Sequence, residues 1–118
     1  MNFKYFSLSE FDCPSLPQSG KNMDTNFVYK LEHARELAGI PFKITSGYRT
    51  ADHNEQVGGV PNSSHLKGVA ADIAVGSGNE RYIILNALIK AGFKRIGVAK
   101  GFIHADTDDT KSNSVWTY

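Results

Sequence analysis

The sequence predicts an α+β fold, with one small, mainly antiparallel β-sheet and two main helices. Two segments, 24–38 and 77–91, carry apolar residues every three or four positions, which is typical of helices that cover a core. Several shorter segments are apolar or alternate between polar and apolar residues, which is typical of strands. We expect the 118 residues to form a single domain, 1–118, because single cores commonly hold ~100–150 residues.

The first helix is predicted to begin at Asp24 or Thr25 and to end at Ala38, because Gly39 follows. Residues 1–23, which contain a loop rich in Pro, Gly and Ser, are predicted to be a loose lead-in. The apolar stripe of this helix is expected to face the core. It consists of Val28, Leu31, Ala34, Leu37 and Ala38.

A second main helix is predicted to follow Ser77 and to extend to Ala91, because Ser77 and Glu80 match a helix-capping box. Its predicted inward residues are Ile83, Ile84, Ala87 and Leu88. One or two further helical turns are predicted over 50–57, before a loop that begins with two glycines. The predicted strands cover 42–45, 69–75, 93–99, 102–106 and 114–118.

Composition excludes several classes of protein. The net charge is +1 and the basic residues are scattered, so a nucleic-acid partner is not expected. No apolar run approaches the ~20 residues of a membrane span, so membrane insertion is not expected either. Cys13 is the only cysteine, so a bound metal needs nitrogen and oxygen ligands. The N-terminal segment lacks the pattern of a secretory signal, and we expect synthesis in the cytoplasm as a monomer.

The segment from Ser63 to Asp72 carries the first chemical signal. Asp72 interrupts an apolar strand, and a buried carboxylate needs an ion, a hydrogen bond or a charged partner to offset its desolvation. His65 precedes it in a polar loop, and Gly68 permits the turn that brings a histidine back over the strand. Asp72 can alternatively cap a turn or pair with Arg49, and this reading is as compatible with the sequence as metal binding.

The strand 102–106 carries the second signal. Side chains alternate along a strand, so His104 and Asp106 point to the same face. If this strand lies beside the Asp72 strand, then His65, Asp72 and His104 can converge on one ion. Two imidazoles and a carboxylate, with a fourth position left to water, are the ligands of catalytic zinc.

Three short motifs follow one another in this part of the chain. The pattern Ser-x-His-x-x-Gly-x-Ala-x-Asp is matched from Ser63 to Asp72, a Ser-Gly-x-Arg element precedes it at 46–49, and His104 follows on a late strand. Over 42–106 the chain thus resembles the zinc D-alanyl-D-alanine carboxypeptidase family, whose superfamily includes lysostaphin-type endopeptidases and the hedgehog signalling domain. The SLSEF opening and the GGVPNSSH loop are similar to peptidases of bacteriophages and prophages.

This resemblance implies a hedgehog/DD-peptidase-like fold and a cell-wall hydrolase that acts on peptidoglycan stem peptides, such as an endolysin. It implies one zinc ion per chain, held by His65, Asp72 and His104. Arg49 would be catalytic and would contact the carboxylate or carbonyl of the substrate, and the motif serines are expected to bind substrate; they are Ser63 and Ser64. Without a signal segment, action on the wall would need a separate release route.

The sequence departs from the family at the general base. Several relatives carry an acidic residue or a histidine two or three positions before the last ligand, where this chain has Phe102 and Gly101. Asp106 is the remaining candidate, either as the base or as a group that orients a ligand imidazole. Three possibilities stay open: the chain is a carboxypeptidase, an endopeptidase, or a non-catalytic module that binds wall peptides or a protein partner.

Overall fold

The computed structural model describes residues 3–118 and confirms the α+β fold class. The helices are α1 (Thr25–Ala38), α2 (Ala51–Gln56) and α3 (Gly78–Lys90). The strands are β1 (Ile44–Ser46), β2 (Ala70–Ala74), β3 (Arg95–Val98), β4 (Phe102–Asp106) and β5 (Ser114–Thr117). Three short 3-10 turns occur at Leu8–Phe11, Ser19–Asn22 and Ser64–Lys67.

The five strands form one sheet in the order β1-β2-β4-β3-β5. All neighbouring strands are antiparallel except β3 and β5, which run parallel. Ile73, Ile96 and Ile103 point from the sheet into a core that is closed by α1 and α3. Because side chains alternate along each strand, the opposite face, here called the polar face, carries Asp72, His104 and Asp106. This second face carries the candidate site.

The ends of the main helices follow their capping residues. The carboxylate of Asp24 accepts a hydrogen bond from the Phe27 N–H at the start of α1, and Gly39 ends this helix with a left-handed φ of 70°. The hydroxyl of Ser77 accepts the Glu80 N–H at the start of α3. The prediction that Leu37 faces the core was wrong: the residue is 47% exposed, because it lies at the solvent-facing edge of the α1 stripe.

The prediction of a loose lead-in was also wrong over the part that the structure describes; residues 1 and 2 lie outside it. Phe6, Phe11 and Met23 are buried in the core. The reason is a buried carboxylate on α1: Glu32 accepts hydrogen bonds from three consecutive backbone N–H groups at 4–6. These bonds compensate the burial of the Glu32 charge and fix the path of the chain before α1.

Strand β4 has its predicted bounds, β2, β3 and β5 lie within their predicted segments but are shorter, and β1 is shifted. The segment 42–45 was predicted as a strand, but pairing begins at Ile44 and reaches Ser46, with an irregular register between these two residues. Phe42 is instead buried in the core. Within residues 3–118, none of the helices has the length and apolar character needed to cross a lipid bilayer.

Candidate metal centre

The sheet register brings together the two candidate ligands that lie on strands. Asp72 on β2 is the direct cross-strand partner of His104 on β4. Such partners have Cβ atoms about 4.5–5.5 Å apart, so the two side chains share one small region of the polar face. Ser46 on β1 lies next to Asp72 in the same row of the sheet.

His65 reaches the same region from the 3-10 turn that precedes β2. The turn ends at Gly68, whose φ of +73° is a left-handed conformation that favours glycine. A side chain at Gly68 would also collide with the Asn22 carbonyl oxygen, because a Cβ atom there would lie 2.4 Å from it. Glycine at this position therefore lets the chain reverse direction without strain and place His65 over the sheet.

The three side chains meet at a single point. One potential ligand atom from each of His65, Asp72 and His104 lies within 4.8 Å of the others, and all three residues are buried. Oδ1 of Asp72 is 2.9 Å from Nδ1 of His104 and 3.4 Å from Nε2 of His65. The predicted convergence is thus present in the structure, and these groups form a candidate metal site.

The outer nitrogen of each imidazole is already engaged. Nδ1 of His65 donates to the carbonyl of Gly47 at 2.7 Å, and Nε2 of His104 donates to Oδ2 of Asp106 at 2.7 Å. These nitrogens must carry the hydrogen because a carbonyl and a carboxylate only accept. The inner nitrogens, Nδ1 of His104 and Nε2 of His65, both face Asp72. They are the ones that would bind a cation, in place of any hydrogen that they share with this carboxylate, and this is the usual arrangement of metal-binding histidines.

The charges in the centre favour a cation. Burial raises the pKa of Asp72, but hydrogen bonds from His104 and His65 outweigh it and hold this pKa well below its usual range. Burial alone would lower the pKa of His104, yet its contacts with Asp106 and Asp72 raise it. The carboxylates therefore stabilise positive charge at this point, and two imidazoles with one carboxylate fit a zinc-like ion.

Asp106 is the most enclosed group of the centre, at 1% exposure. Its Oδ2 accepts from His104, and its Oδ1 accepts from Nε of Arg95 at 2.8 Å and from the N–H of Asp108 at 3.0 Å. Both oxygens are thus occupied by donors. Of the two predicted roles, this geometry favours orientation of His104 over proton abstraction.

Arg49 lies beside the centre and is held on two sides. Its Nε donates to the Ser46 hydroxyl at 3.1 Å, and a terminal nitrogen donates to Oδ1 of Asn54 at 3.2 Å. The other terminal nitrogen is 3.7 Å from Oδ2 of Asp72. The alternative prediction that Asp72 pairs with Arg49 is therefore compatible with the metal site, because different oxygens of Asp72 face Arg49 and the imidazoles.

Asn54 was not identified from the sequence. It is 3% exposed, and its amide nitrogen donates to the Val60 carbonyl at 2.8 Å. A Cβ atom at Gly59 would lie 2.0 Å from Oδ1 of Asn54, so the glycine allows the 57–60 loop to pack closely on the Asn54–Arg49 pair. The dipeptide Gly58-Gly59 was the available signal, and it predicted only a loop.

The two motif serines line the cleft and are buried. The hydroxyl of Ser63 accepts the His65 N–H, and the hydroxyl of Ser64 donates to Asp108 at 2.7 Å. Asp108 itself is buried, at 4% exposure, and pairs with Lys67. Burial raises its pKa, but hydrogen bonds from Thr110, Ser64 and Lys67 hold it well below the usual range.

An open cleft of about 400 Å³ surrounds the centre. It is bordered by the 57–60 loop near Arg49 and by aromatic residues that include Trp116 and Tyr118. The sequence analysis assigned these aromatic residues only to a strand, because nothing in their local pattern indicated which strand would lie beside them.

The N-terminal segment also supports the centre. Phe11 packs against Gly47, and the carbonyl of Gly47 accepts the hydrogen bond that orients His65.

An α+β domain whose sheet presents a buried His-Asp-His group in an open cleft has the architecture of a metal-dependent hydrolase. The family model described as Peptidase M15 matches residues 4–106, and the chain therefore belongs to this family of zinc peptidases. The resemblance drawn from the motifs is confirmed as far as the Peptidase M15 family, while the D-alanyl-D-alanine carboxypeptidase type and the bacteriophage type stay predictions. A search of curated proteins found no match to the chain.

Proposed function

We propose that this protein is a zinc peptidase that hydrolyses peptide bonds of D-amino acids in bacterial peptidoglycan. The observation that carries the proposal is the convergence of His65, Asp72 and His104 within a Peptidase M15 domain. One zinc ion per chain would be held by these three side chains. When bound, such an ion supplies a Lewis acid and makes water nucleophilic near neutral pH.

The protein's own residues would prepare this centre in two ways. Gly47 and Asp106 fix which nitrogen of each imidazole faces inward, so the ligand atoms are oriented before a substrate arrives. Arg49 is held by Ser46 and Asn54 and presents its remaining terminal nitrogen beside Asp72. A guanidinium in this position can bind a peptide carboxylate or stabilise a developing oxyanion.

A second candidate function is a non-catalytic module that binds wall peptides or a protein partner. Within residues 3–118, the carboxylates that line the cleft are Asp72 and Asp106, and both already accept hydrogen bonds from side chains of the centre. Neither is therefore free to act as the general base, and this favours a module without catalysis. We also propose, from the motifs alone, a monomeric single domain of bacteriophage or prophage type, which acts on the wall after a separate release route.

The test is incubation of the zinc-loaded protein with defined muropeptides, followed by mass analysis. We expect loss of activity on chelation and its return with zinc. His65→Ala should lower turnover by at least about a thousandfold, because the substitution removes a ligand, while His33→Ala, on the exposed side of α1, should not. Free D-alanine would identify a carboxypeptidase, and opened cross-links an endopeptidase.

Wall digestion by His65→Ala at the wild-type rate would contradict the proposed metal centre. Full zinc occupancy and tight peptide binding without turnover would instead support the non-catalytic module.

A further inference from the structure

One row of residues crosses the whole polar face of the sheet. Asp72 pairs with His104, His104 with Gly97 on β3, and Gly97 with Trp116 on β5. Strand β5 lies outside residues 4–106, the segment matched by the family model. Trp116 is therefore part of the cleft through a strand that the family assignment does not describe.

Gly97 allows Trp116 to reach the metal centre. A Cβ atom at position 97 would lie 2.5 Å from Nε1 of the indole, closer than non-bonded atoms approach. The indole thus lies directly over the backbone of β3, in the space that a side chain would fill. Its ring centre is 5.4 Å from that of His104. A glycine in the middle of a strand often marks such a close approach.

The position of Trp116 is also fixed from the side. The Arg95 guanidinium lies 4.9 Å from the centre of the indole ring, within the range of a cation–π contact. Arg95 bonds to Asp106 and to the Ser112 carbonyl, just before β5. The same arginine therefore holds β5, the indole and the carboxylate that orients His104.

The two sides of the cleft differ in chemistry. Arg49 follows β1, at one edge of the sheet, and contributes a positive charge beside Asp72. Strand β5 forms the other edge, and there Trp116 lies with Tyr118, whose ring is 5.1 Å from that of Phe102. A peptide that crosses the centre would thus meet a cation on one side and an aromatic surface on the other.

We propose that Trp116 and Tyr118 form a substrate subsite for a small, uncharged apolar residue of the peptide, adjacent to the bond that is hydrolysed. This inference rests on the proposed peptidase function. An aromatic surface gains from covering apolar groups and amide planes, whereas a carboxylate placed there would lose its hydration. With a carboxylate or carbonyl at Arg49, the subsite would fix the direction in which the peptide lies.

The test compares two phosphinate peptide analogues that differ only in the residue on the β5 side, alanine in one and aspartate in the other. Binding to the zinc-loaded protein is measured by calorimetry, and in the wild type also by the fluorescence of Trp116, the only tryptophan. Trp116→Ala removes the indole and Gly97→Ala displaces it. Tyr82→Ala, an exposed aromatic residue on α3, is the matched control.

We expect the wild type and Tyr82→Ala to prefer the alanine analogue by about tenfold or more. Trp116→Ala should reduce this preference to about threefold or less, with Gly97→Ala in between, while zinc affinity stays within about twofold in every variant. If Trp116→Ala keeps the wild-type preference for the alanine analogue, the subsite proposal is overturned. It is also overturned if Trp116→Ala loses zinc affinity and this loss accounts for the whole change in analogue binding.

The subsite proposal and the peptidase proposal are separated by the turnover of the parent peptides, which have an ordinary peptide bond in place of the phosphinate group. A wild type that cuts them with a preference unchanged in Trp116→Ala contradicts the subsite alone. A wild type that binds both analogues with the expected preference but cuts neither parent peptide contradicts the peptidase function and supports the subsite. A wild type that neither binds nor cuts contradicts both.

Discussion

Replacing Asp106 by asparagine separates the two roles predicted for this residue. The asparagine oxygen can still accept from Arg95 and from the Asp108 N–H, as Oδ1 of the carboxylate does. Its NH₂ group then faces Nε2 of His104, where Oδ2 accepts a hydrogen bond at 2.7 Å in the wild type. Two donors cannot share this bond, so a neutral His104 then carries its hydrogen on Nδ1, the nitrogen that contacts Asp72, and no longer on Nε2.

The size of the effect follows from this change of tautomer. A protonated Nδ1 cannot bind a cation, so either His104 must return to its original tautomer against the asparagine amide or the centre loses a ligand. Loss of such an orienting partner typically costs 10- to 100-fold in metal affinity. This equals about 1.4–2.8 kcal/mol. The Arg95 charge also loses its buried partner, and we expect the metal-free protein to be destabilised by about 2 kcal/mol.

Zinc affinity is measured by competition with a chromophoric chelator, and stability by urea unfolding of the metal-free protein. Glu32→Gln is the matched control. Glu32 is another buried carboxylate that accepts several hydrogen bonds, but it lies on α1 and holds the lead-in. Its substitution should lower stability and leave zinc affinity unchanged, which separates a local effect on His104 from general loosening of the fold.

The orienting role would be refuted by one result in particular. If Asp106→Asn binds zinc with wild-type affinity and loses only turnover, then Asp106 acts on the proton of the reaction and not on the tautomer of His104. A variant that keeps both affinity and turnover would show that the hydrogen bond has neither role.

Three further substitutions test the surroundings of the centre. Asp108→Asn should lower the free energy of unfolding at pH 7 by about 1–3 kcal/mol in chemical denaturation. Since the folded pKa of Asp108 is below its ordinary ~3.9, its stabilisation is complete above that pH and disappears as the pH falls further, so wild type and variant should converge in acid; a constant difference would contradict this. Gly68→Ala should lower stability by about 1–3 kcal/mol and weaken zinc binding, because the left-handed turn places His65; unchanged zinc affinity would contradict that dependence. Asn54→Ala should raise KM for peptides about tenfold, with zinc affinity unchanged, because Arg49 loses a partner; an unchanged KM would show that Arg49 needs no such support.

Much of the fold was predictable because its signals are local. The α1 helix and the β4 strand agree with the predicted ranges, since their limits depend on a cap, a glycine and a short alternating pattern. The shared face of His104 and Asp106 follows from alternation alone. The group of His65, Asp72 and His104 was identified from motif spacing, and its convergence needed only the assumption that β2 and β4 are neighbours.

The features missed by the sequence analysis depend on contacts between distant segments. Glu32 fixes a lead-in more than 25 residues earlier in the chain, and Asp108 reaches Ser64 across a separation of 44 residues. In the sequence, each is an ordinary acidic residue. Asp108 continues the alternation of His104 and Asp106, and this weak signal was available. Burial of a carboxylate is decided by its partners, which no local pattern specifies.

Gly68 and Gly97 show why the geometry of the centre depends on residues that have no functional group. Gly68 lets His65 approach from a turn, because any side chain there would strain the backbone and meet Asn22. Gly97 leaves the space that Trp116 fills beside His104. Asp72 and His104 need no such device, because the sheet register sets their separation. Substitution of Gly68 should therefore affect metal binding, whereas substitution of Gly97 should affect peptide selectivity. Neither glycine has a side chain that could contact the ion or the peptide.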